Sequence, residues 1–112
     1  MDRRDDAVVV RVDGDVDVSH TLELRDVLAD AMDGGAASVV LDVGGVDFID
    51  SAGVGLLVTA HRRAQGAGGA FLIADVTPTV ARVLQLTRTD RLLDVHPGVD
   101  EALAALRSSP GA

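Results

Sequence analysis

The sequence predicts an α/β protein with a mainly parallel sheet, and three observations support this fold class. Short β-branched and apolar runs alternate along the chain with segments whose apolar residues recur at the 3.6-residue helical period. The helical segments carry boundary signals, such as Thr77-Pro78 at a start and Gly66 at an end. Repeated strand-helix alternation implies parallel strands that are covered by helices.

The first half of the chain holds two strands and two helices. Residues 7–14 are β-branched and end at Gly14, and 38–43 form a continuous apolar run typical of a buried strand. Between them lies a helix that begins at Ser19 or His20 and ends at Gly34-Gly35. Its apolar face consists of Leu24, Val27, Leu28, Ala31 and Met32.

The second half repeats the pattern. A helix is predicted over 51–65, a buried strand over 70–74, a helix from Pro78 with Thr77 as its N-cap, a short strand over 91–95 and a last helix over 98–107. The prediction is therefore four parallel strands and about four helices. Functional groups in such sheets lie at the carboxyl ends of strands, here 13–17, 44–51 and 75–77.

The 112 residues suit one domain, with a core over about 7–107 and a frayed tail over 108–112. No apolar run approaches the roughly 18 residues that span a bilayer, and the first residues lack a signal-peptide pattern. We therefore expect a cytoplasmic protein with no membrane contact.

Composition excludes several kinds of chemistry. The chain has no cysteine, and all 10 of its basic residues are arginine, which excludes a thiolate site, a Schiff-base lysine and a Walker A phosphate loop. A net charge of −8 and only two aromatic residues, Phe48 and Phe71, disfavour nucleic-acid binding. A protein partner with a basic face fits better.

Other possible sites are weak. The aspartates of 12–19 begin like a calcium loop, but Val18 and Leu24 stand where that loop needs Gly and Glu. His20, His61 and His96 have no metal-ligand spacing. Neither a Gly-x-Ser-x-Gly elbow nor a complete dinucleotide fingerprint is present. We expect no metal, no cofactor and no catalytic residue.

Ser51 allows two interpretations. It precedes a helix, where serine commonly serves as an N-cap. It could also be a phosphorylation site, because a phosphate there would face the positive end of the helix. Gly53 and Gly55 weaken the first turns of that helix, so they could be present to let a partner's active site approach Ser51.

These residues carry a family resemblance. The stretch 46–95 resembles the STAS domain of bacterial anti-sigma factor antagonists, because Asp50 to Gly55 fits the motif Asp-Ser-[Ser/Ala/Thr]-Gly-[Leu/Val/Ile]-Gly. The stretch 14–25 resembles the family's Gly-Glu-Leu-Asp…Thr…Leu-Arg segment. The likeness covers about 7–107 and implies a STAS-like fold.

The resemblance also implies a function. An unphosphorylated antagonist binds an anti-sigma factor, which has a histidine-kinase-like ATPase fold and serine kinase activity, and so frees a sigma factor. Phosphorylation of the motif serine, here Ser51, releases the antagonist, and a metal-dependent serine phosphatase of the PP2C type resets it. The residues that the likeness assigns to partner binding are Asp17, Thr21, Asp50, Ser51, Ala52, Gly53, Val54 and Gly55.

Two alternatives stay open. One is a STAS subunit that works without phosphorylation in a transporter ATPase or a signalling scaffold, and the other is an enzyme or nucleotide binder. The chain also departs from the family, because only MDRRDD precedes the first predicted strand. The usual N-terminal edge strand is therefore expected to be short or missing. An uncovered edge can pair with another copy, so we expect a monomer or a weak homodimer.

Overall fold

The computed structural model describes residues 2–4, 7–33 and 38–107. Its strands are β1 (Asp2–Arg4), β2 (Ala7–Val16), β3 (Ser38–Ile49), β4 (Ala70–Ala74) and β5 (Asp94–His96). Its helices are α1 (Thr21–Asp33), α2 (Ser51–Gly66), α3 (Pro78–Leu86) and α4 (Val99–Arg107). The predicted end of the first helix at Gly34-Gly35 and the predicted tail over 108–112 lie outside the described residues.

The strands form one sheet in the order β1-β2-β3-β4-β5. The four strands from β2 to β5 are parallel, which confirms the predicted α/β class. The three-residue β1 pairs antiparallel with β2 over Ala7 to Val9, so the N-terminal edge strand is present and short.

Helices cover both faces of the sheet unequally. One core cluster joins the sheet to α1, α2 and α3 through residues such as Leu28, Leu57 and Leu84. A smaller cluster joins the other face to α4 through Ala102 and Leu103. Alternate residues of β3 belong to the two clusters, since Leu41 lies in the first and Val40 in the second. In the part of the chain that the structure describes, no helix is long and apolar enough to cross a membrane.

Two predicted strands are longer in the structure. Strand β2 continues past Gly14 to Val16, because Gly14 adopts φ +88° and the pairing with β3 shifts register there. Strand β3 does not end at Val43 but passes through Gly44-Gly45 to Ile49. The residues just before Ser51 are therefore held in the sheet instead of in a loop.

The last strand lies further along the chain than predicted. It covers Asp94–His96 instead of 91–95, and a 3₁₀ turn over Thr89–Arg91 precedes it. The carbonyl of Thr89 accepts from the amides of Leu92 and Leu93 at 3.0 and 2.8 Å, which keeps this segment turned while Leu93 enters the core. The predicted cap of α3 is confirmed, because the Thr77 side chain accepts from the Val80 amide and Pro78 is the first helical residue.

Candidate functional site

The start of α2 is capped by Asp50, so the interpretation of Ser51 as the N-cap is wrong. Asp50 has an extended backbone, and its Oδ1 accepts from the Gly53 amide at 2.9 Å. A carboxylate suits this position because its charge complements the positive end of the helix. Ser51 is the first helical residue, and its side chain is exposed. The serine hydroxyl is therefore not needed to cap the helix.

The turn between β2 and α1 lies against the start of α2. The Asp50 amide donates to the carbonyl of Val16 at 3.2 Å, and Asp50 Oδ2 accepts from the amide of Val18 at 3.1 Å. Strand pairing supports the same arrangement, because Val16 is in register with Ile49. Two segments that are far apart in the sequence thus meet beside Ser51.

The predicted residue Asp17 lies in this turn, and Thr21 is the first residue of α1 directly after it. Asp17 Oδ1 accepts from the Ser19 amide at 3.0 Å and lies 2.9 Å from His20 Nδ1. The Thr21 hydroxyl donates to the carbonyl of Val18 at 3.3 Å. The aspartate therefore shapes the turn, and the structure brings both residues to the end of the sheet that carries Ser51.

The two glycines of the motif have different environments. Gly53 is buried, and a Cβ atom there would overlap the Val16 carbonyl oxygen and lie 2.7 Å from Ile49 Cγ1. Gly55 is exposed, and a Cβ atom there would meet nothing within 4 Å. The interpretation that both glycines serve access is therefore wrong for Gly53, which is required by packing.

The remaining motif residues face inward. Val54 is 6% exposed and belongs to the main core, and Ala52 is half-buried. These two residues lie on the side of α2 that is turned toward the protein, whereas Ser51 and Gly55 are exposed to solvent. The assignment of these residues to partner binding stays a prediction.

Sequence reasoning did not identify three exposed apolar residues at this end of the sheet. Val18 is 71% exposed, Leu22 is 62% exposed and Phe48 is 47% exposed. One signal was available, because Leu22 falls outside the helical stripe that buries Leu24 and Leu28. We define the Ser51 surface as Val18, Leu22, Ser51 and Gly55.

A separate polar cluster lies on the α4 face of the sheet. Asp42 is 8% exposed; its Oδ1 accepts from the Gly44 amide at 2.9 Å and its Oδ2 lies 3.2 Å from Arg11 Nη1. Asp75 follows β4 with φ +60°, and burial together with the nearby charge of Asp42 raises the pKa of Asp75. Arg11 is exposed, and the carboxylates of Asp13 and Asp42 raise its pKa.

The histidines do not come together at this end of the sheet or elsewhere. His20 contacts Asp17, His61 is buried in α2, and His96 Nε2 lies 2.9 Å from Asp94 Oδ1. Across residues 7–33 and 38–107, no three His, Cys, Asp or Glu side chains are arranged as metal ligands.

Comparisons with known proteins agree with this geometry. The family model described as the STAS domain matches residues 1–102. The anti-sigma-B factor antagonist of Staphylococcus epidermidis is 28% identical over 96 residues, which cover 86% of this chain and 89% of that protein. The anti-sigma F factor antagonist of Paenibacillus polymyxa is 25% identical over 108 residues, covering 95% and 92%.

Among solved structures, the crystal structure of an anti-sigma factor antagonist from Mycobacterium paratuberculosis superposes with a TM-score of 0.86. It is 25% identical, and the match covers 96% of this chain and 91% of that one.

Proposed function

The chain belongs to the STAS domain family, and from that premise we propose that it is an anti-sigma factor antagonist controlled by phosphorylation of Ser51. In its unphosphorylated form it binds an anti-sigma factor and so releases a sigma factor. The observation that carries the proposal is the position of Ser51, which is exposed at the first turn of α2 while Asp50 provides the cap. The hydroxyl can be modified without loss of the capping hydrogen bond.

A phosphate on Ser51 is compatible with the fold but changes the Ser51 surface. It adds a charge of about −1.5 to −2 at a helix N-terminus, where the helix dipole favours an anion. The same charge would enter an interface that also contains the exposed side chains of Val18 and Leu22. A dianion that must be desolvated without a paired cation weakens binding, which gives phosphorylation its effect on the complex.

The partner that fits this surface has apolar side chains surrounded by basic ones. The net charge of −8 favours association with a basic protein face. An anti-sigma factor with a histidine-kinase-like ATPase fold and serine kinase activity would be both binding partner and modifying enzyme. Gly55 adds no side chain beside Ser51, which leaves room for a kinase active site. A serine phosphatase of the PP2C type would reverse the modification.

In this proposal the chain is a binding protein and a substrate of other enzymes, and it acts in the cytoplasm with the transcription machinery. No cofactor takes part in its own action. The alternative of a phosphorylation-independent subunit of a transporter ATPase or scaffold predicts a different partner, so the identity of the partner separates the two.

The test is a capture experiment from lysate of the native host with Ser51→Ala and Ser51→Asp as baits, read by mass spectrometry. Thr59→Asp is a matched control, because Thr59 is an exposed hydroxyl residue on the same helix and receives the same charge. We expect Ser51→Ala and Thr59→Asp to capture a protein with a kinase-like ATPase domain that Ser51→Asp does not retain.

Equal capture of one partner by all three baits would contradict control by Ser51. Capture of a transporter ATPase in place of a kinase-like protein would support the alternative.

A further inference from the structure

Asp50 makes more contacts than capping requires. One oxygen of its carboxylate accepts from Gly53 in the first turn of α2, and the other accepts from Val18 in the turn between β2 and α1. The two hydrogen bonds measure 2.9 and 3.1 Å. The single side chain therefore connects two segments that both contribute to the Ser51 surface.

A carboxylate is the side chain that this bridge needs. Each oxygen faces a backbone N–H donor, and hydrogen bonds to an ionised acceptor are stronger than neutral ones. Asparagine has almost the same shape but would turn an N–H₂ group toward one of the two donors. Serine can still cap a helix, yet it has only one, shorter-reaching oxygen.

The position of the Val18 backbone depends on this bridge, because few other described contacts hold it. The residue is 71% exposed, so burial contributes little to its placement. Its carbonyl accepts from the Thr21 hydroxyl at 3.3 Å, which is a local contact with the first residue of α1. The hydrogen bond from the Val18 amide to the Asp50 carboxylate is the described contact that connects this residue to the start of α2.

We propose that Asp50 is a positioning residue, which fixes Val18 beside Ser51 before a partner binds. A surface that is already ordered loses less conformational entropy on association, so the bridge increases affinity without Asp50 touching the partner. This inference rests on the proposed function only for the identity of the partner. The bridge itself can be tested in the free protein.

The first experiment measures amide hydrogen exchange by NMR in wild type, Asp50→Asn and Asp47→Asn. Asp47→Asn is the matched control, because Asp47 is an exposed aspartate near the end of β3, three residues before Asp50, and loses the same charge. We expect the Val18 amide to exchange about tenfold faster in Asp50→Asn, as the loss of a charged hydrogen bond implies, and to be unchanged in Asp47→Asn. Equal exchange rates of the Val18 amide in all three proteins would show that the Asp50 carboxylate does not hold Val18.

The second variant, Asp50→Ser, keeps a capping oxygen for Gly53 and separates the bridge from general stability. We expect its melting temperature to stay near that of wild type while the Val18 amide still exchanges faster. With the anti-sigma factor captured by Ser51→Ala as the probe, calorimetry should show roughly three- to tenfold weaker binding for Asp50→Asn and Asp50→Ser than for Asp47→Asn.

Faster exchange with unchanged affinity would refute the positioning role and leave the proposed function intact. If wild type and Ser51→Ala bind no anti-sigma factor, the proposed function fails and the role in binding fails with it. In either case, the exchange rate of the Val18 amide shows whether Asp50 forms the bridge.

Discussion

The two glycines of the motif give a matched test of the packing at the start of α2. Substitution by alanine should lower the stability of the protein at Gly53 and raise it at Gly55. Alanine at either site gains helix propensity, about 1 kcal/mol relative to glycine. At Gly53 the added methyl group would overlap the Val16 carbonyl oxygen and lie 2.7 Å from Ile49 Cγ1 and 2.9 Å from Val16 Cγ1. At Gly55 it would meet nothing within 4 Å.

The magnitude follows from these contacts. Overpacking in a core costs about 1–3 kcal/mol, and moving α2 away from β2 would also weaken the hydrogen bond of 3.2 Å from the Asp50 amide to Val16, worth about 1 kcal/mol. After the gain in propensity, Gly53→Ala should lower the free energy of unfolding by about 2 kcal/mol, or the melting temperature by roughly 10 °C. Gly55→Ala should raise the free energy of unfolding by about 0.5–1 kcal/mol.

Urea unfolding followed by circular dichroism measures both changes. The difference between the two variants is more informative than either value, because the gain in helix propensity is common to both. Equal stability of the two variants, or a more stable Gly53→Ala protein, would refute the assignment of Gly53 to packing. If the missing side chain at Gly55 serves to let the partner approach Ser51, Gly55→Ala should also bind the anti-sigma factor more weakly, although it is the more stable protein.

Two further predictions concern polar groups near the ends of strands. Because burial and the Asp42 charge raise the pKa of Asp75, the folded state holds that proton to higher pH than the unfolded state. Stability from this group is complete below the ordinary aspartate pKa and is lost as the pH rises through the raised value. Asp75→Asn should therefore be more stable than wild type at pH 7, by a margin that shrinks toward pH 4 in thermal melts, as linkage requires. A margin independent of pH would contradict this. Thr77→Ala removes the cap on Val80 and the bond of 3.1 Å to the Val46 carbonyl, and should lower the free energy of unfolding by about 1–2 kcal/mol in urea titrations. Thr77→Ser keeps the hydroxyl and should recover most of the lost stability. If it does not, the hydroxyl is not the group that stabilises this position.

Much of the fold could be predicted because it depends on local patterns. The continuous apolar run at the start of β3 and the helical stripe that includes Leu24 and Leu28 both reflect burial, which leaves a periodic trace in the sequence. The cap at Thr77-Pro78 is also local, since proline suits the first helical position and threonine the one before it.

The errors arose where distant contacts decide between equal local choices. Asp50 and Ser51 are both good N-caps, and the contacts of Asp50 with Val16 and Val18 select the aspartate. Gly53 and Gly55 have the same propensity, and the close approach of Val16 and Ile49 to Gly53 distinguishes them. Local signals also could not place β5, because the burial of Leu93 turns the chain before the strand begins.

For the candidate site, the sequence could indicate the motif but not its surface. Ser51 and the turn that holds Asp17 could be inferred from the family pattern. Their closeness depends on the parallel register of β2 and β3, which no local pattern specifies. The exposed Val18 and Phe48 could not be recognised as surface residues, because apolar residues near strand ends are more often buried.

The measurement that tests the central claim most directly is the affinity of the captured anti-sigma factor for the protein before and after phosphorylation. The kinase and ATP would modify wild type, with Ser51→Ala as the control, and intact mass and peptide mapping would locate the phosphate. Isothermal titration calorimetry would then compare both forms with the same partner. The account predicts a phosphate on Ser51 and an affinity at least about 100-fold lower, as expected for an unpaired dianion in an interface. Equal affinity of the two forms, or a phosphate at another residue, would contradict it.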